Sequence, residues 1–359
     1  ESALIYINHD QTLLLLHDLP SSKNAQIYVL LIDALLFSSS FQWSSVQELT
    51  TARLDKYRTM NPCPVYERQS KTVFLFFNCV FGKVSERDQI SKRKNQARFR
   101  RDGLDRKLII PAYVYYIHCL VVKPYAFAFY SDDGGATWHY GRRVSVQSTE
   151  CQMAEITKDD GKSSLYCNAR GNKSRQNHRV EAVSKNRGVD FETFSQKLVE
   201  LPYGCQGSVV SFQHGGKTCL LFSHTTDKKK RKDLGVYLNM TPDKVSGWKK
   251  PHIINPGVSG YSDMTRRGEE EERFACLMER GTTDLEEIYL FSTRSRCRSS
   301  AVTRGFFTPC LVTNLRAAVD LFLFLPRPGI SFIFCPSQFR YFIMCSSSSA
   351  PGAADEALV

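Results

Sequence analysis

Long apolar runs are missing from this 359-residue sequence. Spanning a bilayer takes roughly 18 to 20 consecutive apolar residues, and the best candidate, 317–334, is interrupted by charged residues, prolines and a glycine. The pattern of a secretory signal, a basic segment followed by an apolar core, is also missing from the first residues. We therefore expect any association with a membrane to be peripheral.

Metal-binding spacing is missing as well, although the chain has 12 cysteines. None of them forms a Cys-x-x-Cys pair or a zinc-like spacing with histidine, so spacing predicts neither a metal site nor a disulfide framework. Cys79, Cys167 and Cys219 stand in strand-like runs and are predicted to be small buried hydrophobic residues. We predict no metal and no cofactor.

Helical periodicity is equally scarce, because no stretch has the pattern of a long amphipathic helix. Short apolar runs alternate instead with turn residues, which predicts an all-β fold. The predicted strand runs are 13–16, 27–32, 73–80, 107–116, 125–130, 209–212, 218–223 and 235–239.

The charge is strongly basic, with a formal net charge of +12 and a pI near 9.1. Such a balance favours anionic partners, such as nucleic acid, acidic lipid headgroups or sialylated glycans. The only dense basic run is 228–232, and a run of this kind is also typical of a solvated loop.

The most specific pattern is a turn at residues 131–138, which reads Ser-Asp-Asp-Gly-Gly-Ala-Thr-Trp. In a hairpin tip of this kind, Asp133 can accept backbone N–H groups and Gly135 can take a positive φ. A degenerate copy at 184–191 has Asn186 and Phe191 at the Asp and Trp positions. The two copies begin at residues 131 and 184, a spacing close to the roughly 40 to 50 residues of one propeller blade.

The turn at 131–138 matches the Asp box pattern Ser-x-Asp-x-Gly-x-Thr-Trp of the sialidases. Seven further segments match sialidase segments and occur in the same order along the chain. Together they make residues 3–292 resemble the animal exo-α-sialidases, most of all the ganglioside-cleaving plasma-membrane type and its cytosolic relative. The resemblance implies a six-bladed β-propeller. The segments are 58–64, 110–115, 150–155, 165–170, 204–212, 231–235 and 260–263.

The chain departs from the family pattern in three places. Only Arg-Arg-Asp stands between Phe99 and Gly103, where the family has another hairpin, so part of one blade is predicted to be missing. The family's Arg-Ile-Pro would precede Ala3, where this sequence has Glu-Ser. We predict a propeller domain over 1–293, and a non-family, disordered tail over 294–359.

The resemblance also implies a catalytic pair. Sialic acid carries a carboxylate on its anomeric carbon, which would repel a carboxylate nucleophile, so a neutral phenol is the better attacker. Tyr261 matches the family nucleophile, and Glu150 matches the base that a phenol with a pKa near 10 needs. Arg170 and Arg231 match two of the three arginines that hold the substrate carboxylate. The third would stand in the missing Arg-Ile-Pro.

Other residues match positions that line the family pocket. Tyr113 and Tyr115 match aromatic residues on the glycerol and N-acyl side, and Met60, Asn61 and Glu86 match other contact positions. Each has an ordinary alternative, because a tyrosine in a strand usually only packs. Gln206 has such an alternative too, since the glycines around it are typical of a tight turn.

The general acid is the main mismatch. Alignment through Lys23 places Leu19 at a family arginine and Asn24 at the acid/base aspartate. An amide cannot donate and retake a proton, and general acid catalysis contributes about 10² to 10⁴ in rate.

The resemblance implies retaining exo-α-sialidase activity on gangliosides, oligosaccharides and glycoproteins, at the plasma membrane or in the cytoplasm rather than in the lysosome. No nucleic-acid partner is expected, because aromatic residues do not interleave with the basic run. Two alternatives stay open. One is an impaired pseudo-sialidase that binds sialosides without cleaving them, and the other is a basic protein that binds anionic surfaces.

Overall fold

The structure is a computed structural model of the whole chain. It describes residues 2–7, 12–19, 26–33, 47–53, 55–67, 72–81, 108–118, 121–135, 137–158, 160–171, 177–194, 198–242, 247–267, 273–285, 287–294, 308–314 and 339–344.

Strands make up almost all of the regular structure in these ranges. The single helical element described is a 3₁₀ turn, η1 (Thr50–Ala52). Each of the eight predicted runs coincides with a strand, so the all-β prediction is confirmed. The strands are β1 (Ser2–Ile7), β2 (Thr12–Leu19), β3 (Gln26–Asp33), β4 (Gln47–Glu48), β5 (Tyr57–Glu67), β6 (Thr72–Phe81), β7 (Leu108–His118), β8 (Val121–Ser131), β9 (His139–Tyr140), β10 (Ser148–Thr157), β11 (Ser163–Gly171), β12 (Val180–Ser184), β13 (Glu192–Thr193), β14 (Ser208–His214), β15 (Lys217–Thr225), β16 (Lys232–Asn239), β17 (His252–Arg267), β18 (Arg273–Arg280), β19 (Glu287–Arg294), β20 (Thr308–Asn314) and β21 (Phe339–Met344).

The chain divides into two compact units. The first comprises residues 1–99, 264–278 and 286–345. Within it, β1 to β4 form an antiparallel sheet in sequence order, and β6 lies between antiparallel β5 and parallel β21. The core of this unit includes the buried run 73–77 of β6, with Leu75 fully buried.

The second unit comprises residues 100–263, 279–285 and 346–359. Three antiparallel groups of consecutive strands follow one another in it, β7–β9, β10–β13 and β14–β17. Consecutive antiparallel strands of this kind are typical of propeller blades.

The central strands of the second unit are buried on both faces. In β15, residues 218–225 are all buried, and β11 is buried over 165–169. One cluster joins Tyr166, Leu220, Phe222 and Tyr237, with Trp248 packed against it. The predicted burial of Cys167 and Cys219 is confirmed at 1% exposure each, and the side chain of Cys79 lies outside the described residues.

The turn at 131–138, here called the first turn, follows β8. Ser131 Oγ accepts from the Gly135 amide at 2.7 Å, and Asp133 Oδ1 accepts from the Thr137 amide at 2.7 Å. Gly135 has a φ of 93°. The Trp138 indole donates to the Gly135 carbonyl at 3.2 Å. The predicted roles of Asp133 and Gly135 in the turn are confirmed.

The copy at 184–191, the second turn, follows β12 and has the same frame. Ser184 Oγ accepts from the Gly188 amide at 2.8 Å, and Asn186 Oδ1 accepts from the Asp190 amide at 2.8 Å. Gly188 has a φ of 89°. The sequence repeat is therefore also a structural repeat.

Two predictions about the chain's organisation remain predictions. The proposed deletion between Phe99 and Gly103 lies outside the described residues. In the stretch 294–359, predicted to be a disordered tail, the structure describes two strands, β20 paired with β19 and β21 paired with β6. The domain boundary at residue 293 and the disordered tail therefore stay predictions.

Candidate active site

Three of the predicted site residues meet in the second unit. Arg170 Nη1 donates to Glu150 Oε1 at 3.0 Å, to Glu150 Oε2 at 2.8 Å and to the Tyr261 hydroxyl at 3.2 Å. The Tyr261 hydroxyl in turn donates to Glu150 Oε1 at 3.3 Å. The phenol therefore lies between a carboxylate that can take its proton and a cation that stabilises its anion.

An irregularity in β10 places Glu150. The register between β10 and β11 shifts between Ser148 and Cys151, so Glu150 stands at a bulge. Bulges turn a side chain away from the regular alternation of a strand. Here the turned side chain reaches Arg170, which stands near the end of the neighbouring strand β11.

A carboxylate behind Tyr261 fixes its backbone. The Tyr261 amide donates to Glu279 Oε2 at 3.0 Å. A Cβ at the preceding Gly260 would lie 2.4 Å from the same oxygen, so this close approach requires glycine. Nothing in the local sequence around Glu279 indicates this contact, so the sequence alone does not predict it.

Arg231 approaches the same phenol from another side. Its guanidinium carbon lies 5.0 Å from the centroid of the Tyr261 ring. The register between β16 and β17 shifts around Asp233, which has a φ of 57° and accepts from the Gly257 amide at 2.7 Å. The basic run is therefore a loop with one side chain directed to the site. The solvated-loop alternative still describes Lys228, Lys229 and Lys230, which are exposed.

A turn at 201–204 contacts both arginines. It is closed by the Gly204 amide, which donates to the Leu201 carbonyl at 2.8 Å. Arg170 Nε donates to the Tyr203 carbonyl at 2.9 Å, and Arg231 Nη2 donates to the Gly204 carbonyl at 3.4 Å. Two backbone carbonyls thus orient two cationic side chains.

The carboxylate of Glu150 stabilises the positive charge of Arg170. The side chains of Arg170 and Glu150 are 17% and 19% exposed, so solvent screens their ion pair only in part. Burial disfavours the guanidinium charge, but the Glu150 carboxylate outweighs that effect, and the pKa of Arg170 is raised above its ordinary value. Arg170 is a permanent cation in this setting.

A buried network of charged side chains contacts the turn 201–204, and no local pattern in the sequence predicts it. Arg179 and Glu200 form a fully buried ion pair, with Nη1 2.7 Å from Oε2. Burial raises the pKa of Glu200, but Arg179 and His224 together outweigh it, and the pKa falls to about 2. His224 Nε2 lies 3.2 Å from Glu200 Oε1, and burial lowers the pKa of this histidine.

Two glutamines also form hydrogen bonds between the strands of the site. Gln152 Oε1 accepts from the Val209 amide at 3.0 Å, and Gln152 Nε2 donates to Asp263 Oδ1 at 2.8 Å. Gln206 Oε1 accepts from the Ser262 amide at 2.9 Å. The structural interpretation of Gln206 agrees with this contact, which holds the residue after Tyr261.

The other predicted site residues lie on strands of both units or outside the described residues. Tyr113 and Tyr115 lie together on β7, with ring centroids 5.7 Å apart. Met60 and Asn61 lie on β5 in the first unit, where Asn61 has a φ of 56°. Leu19 ends β2, while Asn24 and Glu86 lie outside the described residues.

Comparisons with known proteins place the chain in a family. A family profile described as a BNR repeat-like domain matches residues 94–271. Sialidase-3 of Bos taurus is 35% identical over 368 residues, covering 78% of this chain and 85% of that protein. Sialidase-2 of Mus musculus is 33% identical, covering 81% of this chain and 91% of that protein.

Solved structures share the fold. A Hadza microbial sialidase, Hz136, has a TM-score of 0.60 at 18% identity, covering 82% of this chain and 65% of that one. Trypanosoma rangeli sialidase has a TM-score of 0.52 at 16% identity, covering 81% of this chain and 54% of that one. The predicted fold class, a sialidase-type β-propeller, is therefore confirmed. In the part of the chain that the structure describes, none of the helices is long and apolar enough to cross a membrane.

Proposed function

Because the chain belongs to the animal sialidase family, we propose that it is an exo-α-sialidase that removes terminal sialic acid by a retaining mechanism with Tyr261 as nucleophile. The observation that supports this most directly is the three-way contact of Tyr261, Glu150 and Arg170. A phenol, a base and a cation within hydrogen-bonding distance are the groups that this chemistry needs.

In the first step, the Tyr261 oxygen bonds to the anomeric carbon while Glu150 accepts the phenolic proton. The bond to the leaving oxygen breaks, and that oxygen takes up a proton from the solvent unless it is already a stable anion. In the second step, water attacks the anomeric carbon and gives up one proton to the solvent. The bond between that carbon and the Tyr261 oxygen breaks, and the phenol recovers its proton from Glu150. The net reaction is hydrolysis with retention.

The two arginines serve the substrate carboxylate in this proposal. Arg170 and Arg231 both lie at Tyr261, where the anomeric carbon would have to stand. A charged hydrogen bond to a carboxylate contributes about 1.5 to 3 kcal/mol. Arg170 is thus assigned a second role, since the same guanidinium also stabilises the developing phenolate.

The natural substrates proposed are gangliosides, together with sialylated oligosaccharides and glycoproteins. The resemblance of residues 3–292 to the ganglioside-cleaving type supports this choice, and it also supports a peripheral location at the plasma membrane or a cytoplasmic one. Binding to vesicles that contain ganglioside, compared with vesicles of neutral lipid, would test both points.

Replacement of Tyr261 by Phe tests the enzyme directly. We expect turnover of an aryl sialoside to fall by a factor of about 10² or more, because the nucleophile is lost, while binding of sialic acid persists. Tyr237→Phe is the matched control, since Tyr237 is a buried tyrosine of the same unit that we place outside the site. Equal turnover in Tyr261→Phe and wild type would contradict the assignment of Tyr261 as the nucleophile.

The alternative of a binding protein without turnover is favoured by one observation, the amide at Asn24 in place of the acid/base aspartate. Substrates with poor leaving groups need protonation, whereas activated aryl leaving groups do not. We expect Asn24→Asp, alone and with Leu19→Arg, to raise turnover mainly on natural glycosides. Measurable binding with no turnover on either substrate, in all these variants, would favour the pseudo-sialidase.

A further inference from the structure

We infer that Glu200 is a positioning residue for both site arginines and acts through the turn 201–204, so that the preference of the site for a carboxylate depends on a buried carboxylate beneath it. This inference rests on the proposed function. Glu200 itself is 1% exposed and is assigned no contact with substrate.

Glu200 uses both oxygens to hold the turn. Oε1 accepts from the Leu201 amide at 3.1 Å, at the start of the turn, and from the Cys205 amide at 3.2 Å, directly after its end. Oε2 accepts from the Gly171 amide at 3.2 Å and from Arg179 Nη1 at 2.7 Å. Gly171 directly follows Arg170, so one carboxylate fixes the turn and the backbone of a site arginine together.

Arg179 holds the far side of the same assembly. Its Nη1 also donates to the Cys205 carbonyl at 2.5 Å, and its Nε donates to Asn168 Oδ1 at 2.8 Å. A buried ion pair is weak evidence for stability, because burying two charges costs much of what their attraction gains. The hydrogen bonds that Glu200 and Arg179 make to the backbone at Leu201 and Cys205 indicate instead that this ion pair holds the turn in position.

The turn is under strain that its surroundings must maintain. Tyr203 has a φ of 62° although its side chain is 64% exposed. A bulky residue adopts this conformation only where the structure around it imposes it. The strained residue presents its carbonyl to Arg170, and Gly204 presents its own to Arg231. The anchors at Leu201 and Cys205 therefore set the direction of both guanidinium groups.

Glycine at 204 is part of the same arrangement. Its φ is 69°, and a Cβ there would lie 2.6 Å from Arg170 Cγ and 2.5 Å from the Gly171 carbonyl oxygen. The turn and the arginine strand are thus in direct contact, with no room for a side chain between them. A displacement of the turn is transmitted to Arg170.

Glu200→Gln is the sharpest test, because it keeps the shape of the side chain and removes one acceptor oxygen. Whichever way the amide lies, its NH₂ faces either the amides of Leu201 and Cys205 or the amide of Gly171 with Arg179. Glu181→Gln is the matched control. Glu181 is also fully buried, and its Oε1 accepts from the Tyr166 hydroxyl and the Trp248 indole, whereas the oxygens of Glu200 accept from the backbone of the turn.

The first measurement compares two probes, the 2,3-unsaturated analogue of sialic acid and its methyl ester. Wild type should bind the free acid more tightly than the ester. Glu200→Gln should lose about tenfold or more of that preference, with KM for an aryl sialoside rising more than kcat falls. Glu181→Gln should keep the preference, even if its melting temperature drops.

The second measurement does not depend on the function. Amide hydrogen exchange at Leu201 and Cys205 should be faster in Glu200→Gln and unchanged in Glu181→Gln. Gly204→Ala provides a second variant in which Glu200 is intact, and it should reproduce the loss of preference. Gly215→Ala is its control, since that glycine also has a positive φ and nothing lies within 4 Å of an added Cβ.

The outcomes separate the two proposals. If wild type prefers the acid and Glu200→Gln and Gly204→Ala keep that preference, the positioning role is wrong while the proposed function stands. Unchanged exchange at Leu201 and Cys205 in Glu200→Gln would also overturn the role. If wild type binds neither probe, the proposed function fails first, and the role of the turn fails with it.

Discussion

The first and second turns have the same backbone and opposite hydrogen-bonding chemistry. In both, a serine hydroxyl accepts from the glycine amide four residues later, at 2.7 and 2.8 Å. In the first turn, the hydroxyl of Thr137 donates to the carboxylate of Asp133 at 2.6 Å. In the second, the amide of Asn186 donates to the carboxylate of Asp190 at 3.0 Å.

The donor and the acceptor have therefore changed places between the third and seventh positions of the turn. Each turn keeps one acidic group and one neutral donor, and each keeps a side-chain oxygen at position three that accepts the backbone amide of position seven. What the frame needs is complementarity, together with serine and glycine. The charge at position three is replaceable as long as its partner changes too.

The glycine shared by both turns gives the largest expected effect. We expect Gly188→Ala to lower the free energy of unfolding by about 2 kcal/mol, because alanine is strained at a φ of 89° by about 1 to 2 kcal/mol and its Cβ would be tight against Ala128. Denaturant unfolding measures the change.

Gly161→Ala is the control for this substitution. Its φ is 75° and an added Cβ meets nothing within 4 Å, so it isolates the strain. A loss in Gly188→Ala no larger than in Gly161→Ala would show that the contact with Ala128 contributes nothing.

The shared serines give the next effect. Ser131 and Ser184 are both fully buried. Replacing either with Ala leaves a buried glycine amide without its acceptor. Because this donor is neutral, we expect the cost to be about 1 kcal/mol, the lower end of the range for an unsatisfied buried group. We expect the two variants to lose the same stability, within error, in thermal unfolding. A loss confined to Ser131→Ala would mean that the second turn is held mainly by other contacts.

The exchanged pair gives the smallest effect and the sharpest comparison. Asn186→Asp would place a second carboxylate opposite Asp190, and we expect a loss of about 0.5 to 1 kcal/mol at neutral pH for this solvent-exposed pair. Because protonation relieves the repulsion, the loss should shrink as the pH falls through the range in which the carboxylates titrate.

Adding Asp190→Thr to Asn186→Asp recreates the residues of the first turn. We expect this double variant to recover the stability that Asn186→Asp loses, and Asp190→Thr alone serves as the control in the cycle. If the double variant is no more stable than Asn186→Asp, the two positions are not exchanged as a pair.

Local patterns explain what the sequence could predict. The turn residues and the eight strand runs are local signals, and each corresponds to an element of the structure. Tyr261, Glu150 and Arg170 were identified from motifs, and the fold brings them within hydrogen-bonding distance. Their roles still depend on the resemblance, because a motif indicates neither a proton transfer nor a binding free energy.

Contacts between distant segments explain what the sequence could not predict. Glu200 binds Arg179 and the Gly171 amide across separations of 21 and 29 residues, which carry no periodic signal. The bulge at Glu150 is equally invisible in a strand-like run. Tyr203 is a residue type that normally argues against a positive φ, so local preference predicts the wrong conformation there.

The pairing of Glu150 with Arg170 has a consequence for selectivity among small anions. Both oxygens of the Glu150 carboxylate accept from the same nitrogen, so the guanidinium that we propose to hold the substrate carboxylate already has an anionic partner. Under the proposed function, an arriving carboxylate has to compete with Glu150 for Arg170, and a simple ion such as acetate has few other contacts with which to do so. We therefore expect Arg170 to bind weakly those small carboxylates that do not also contact neighbouring groups.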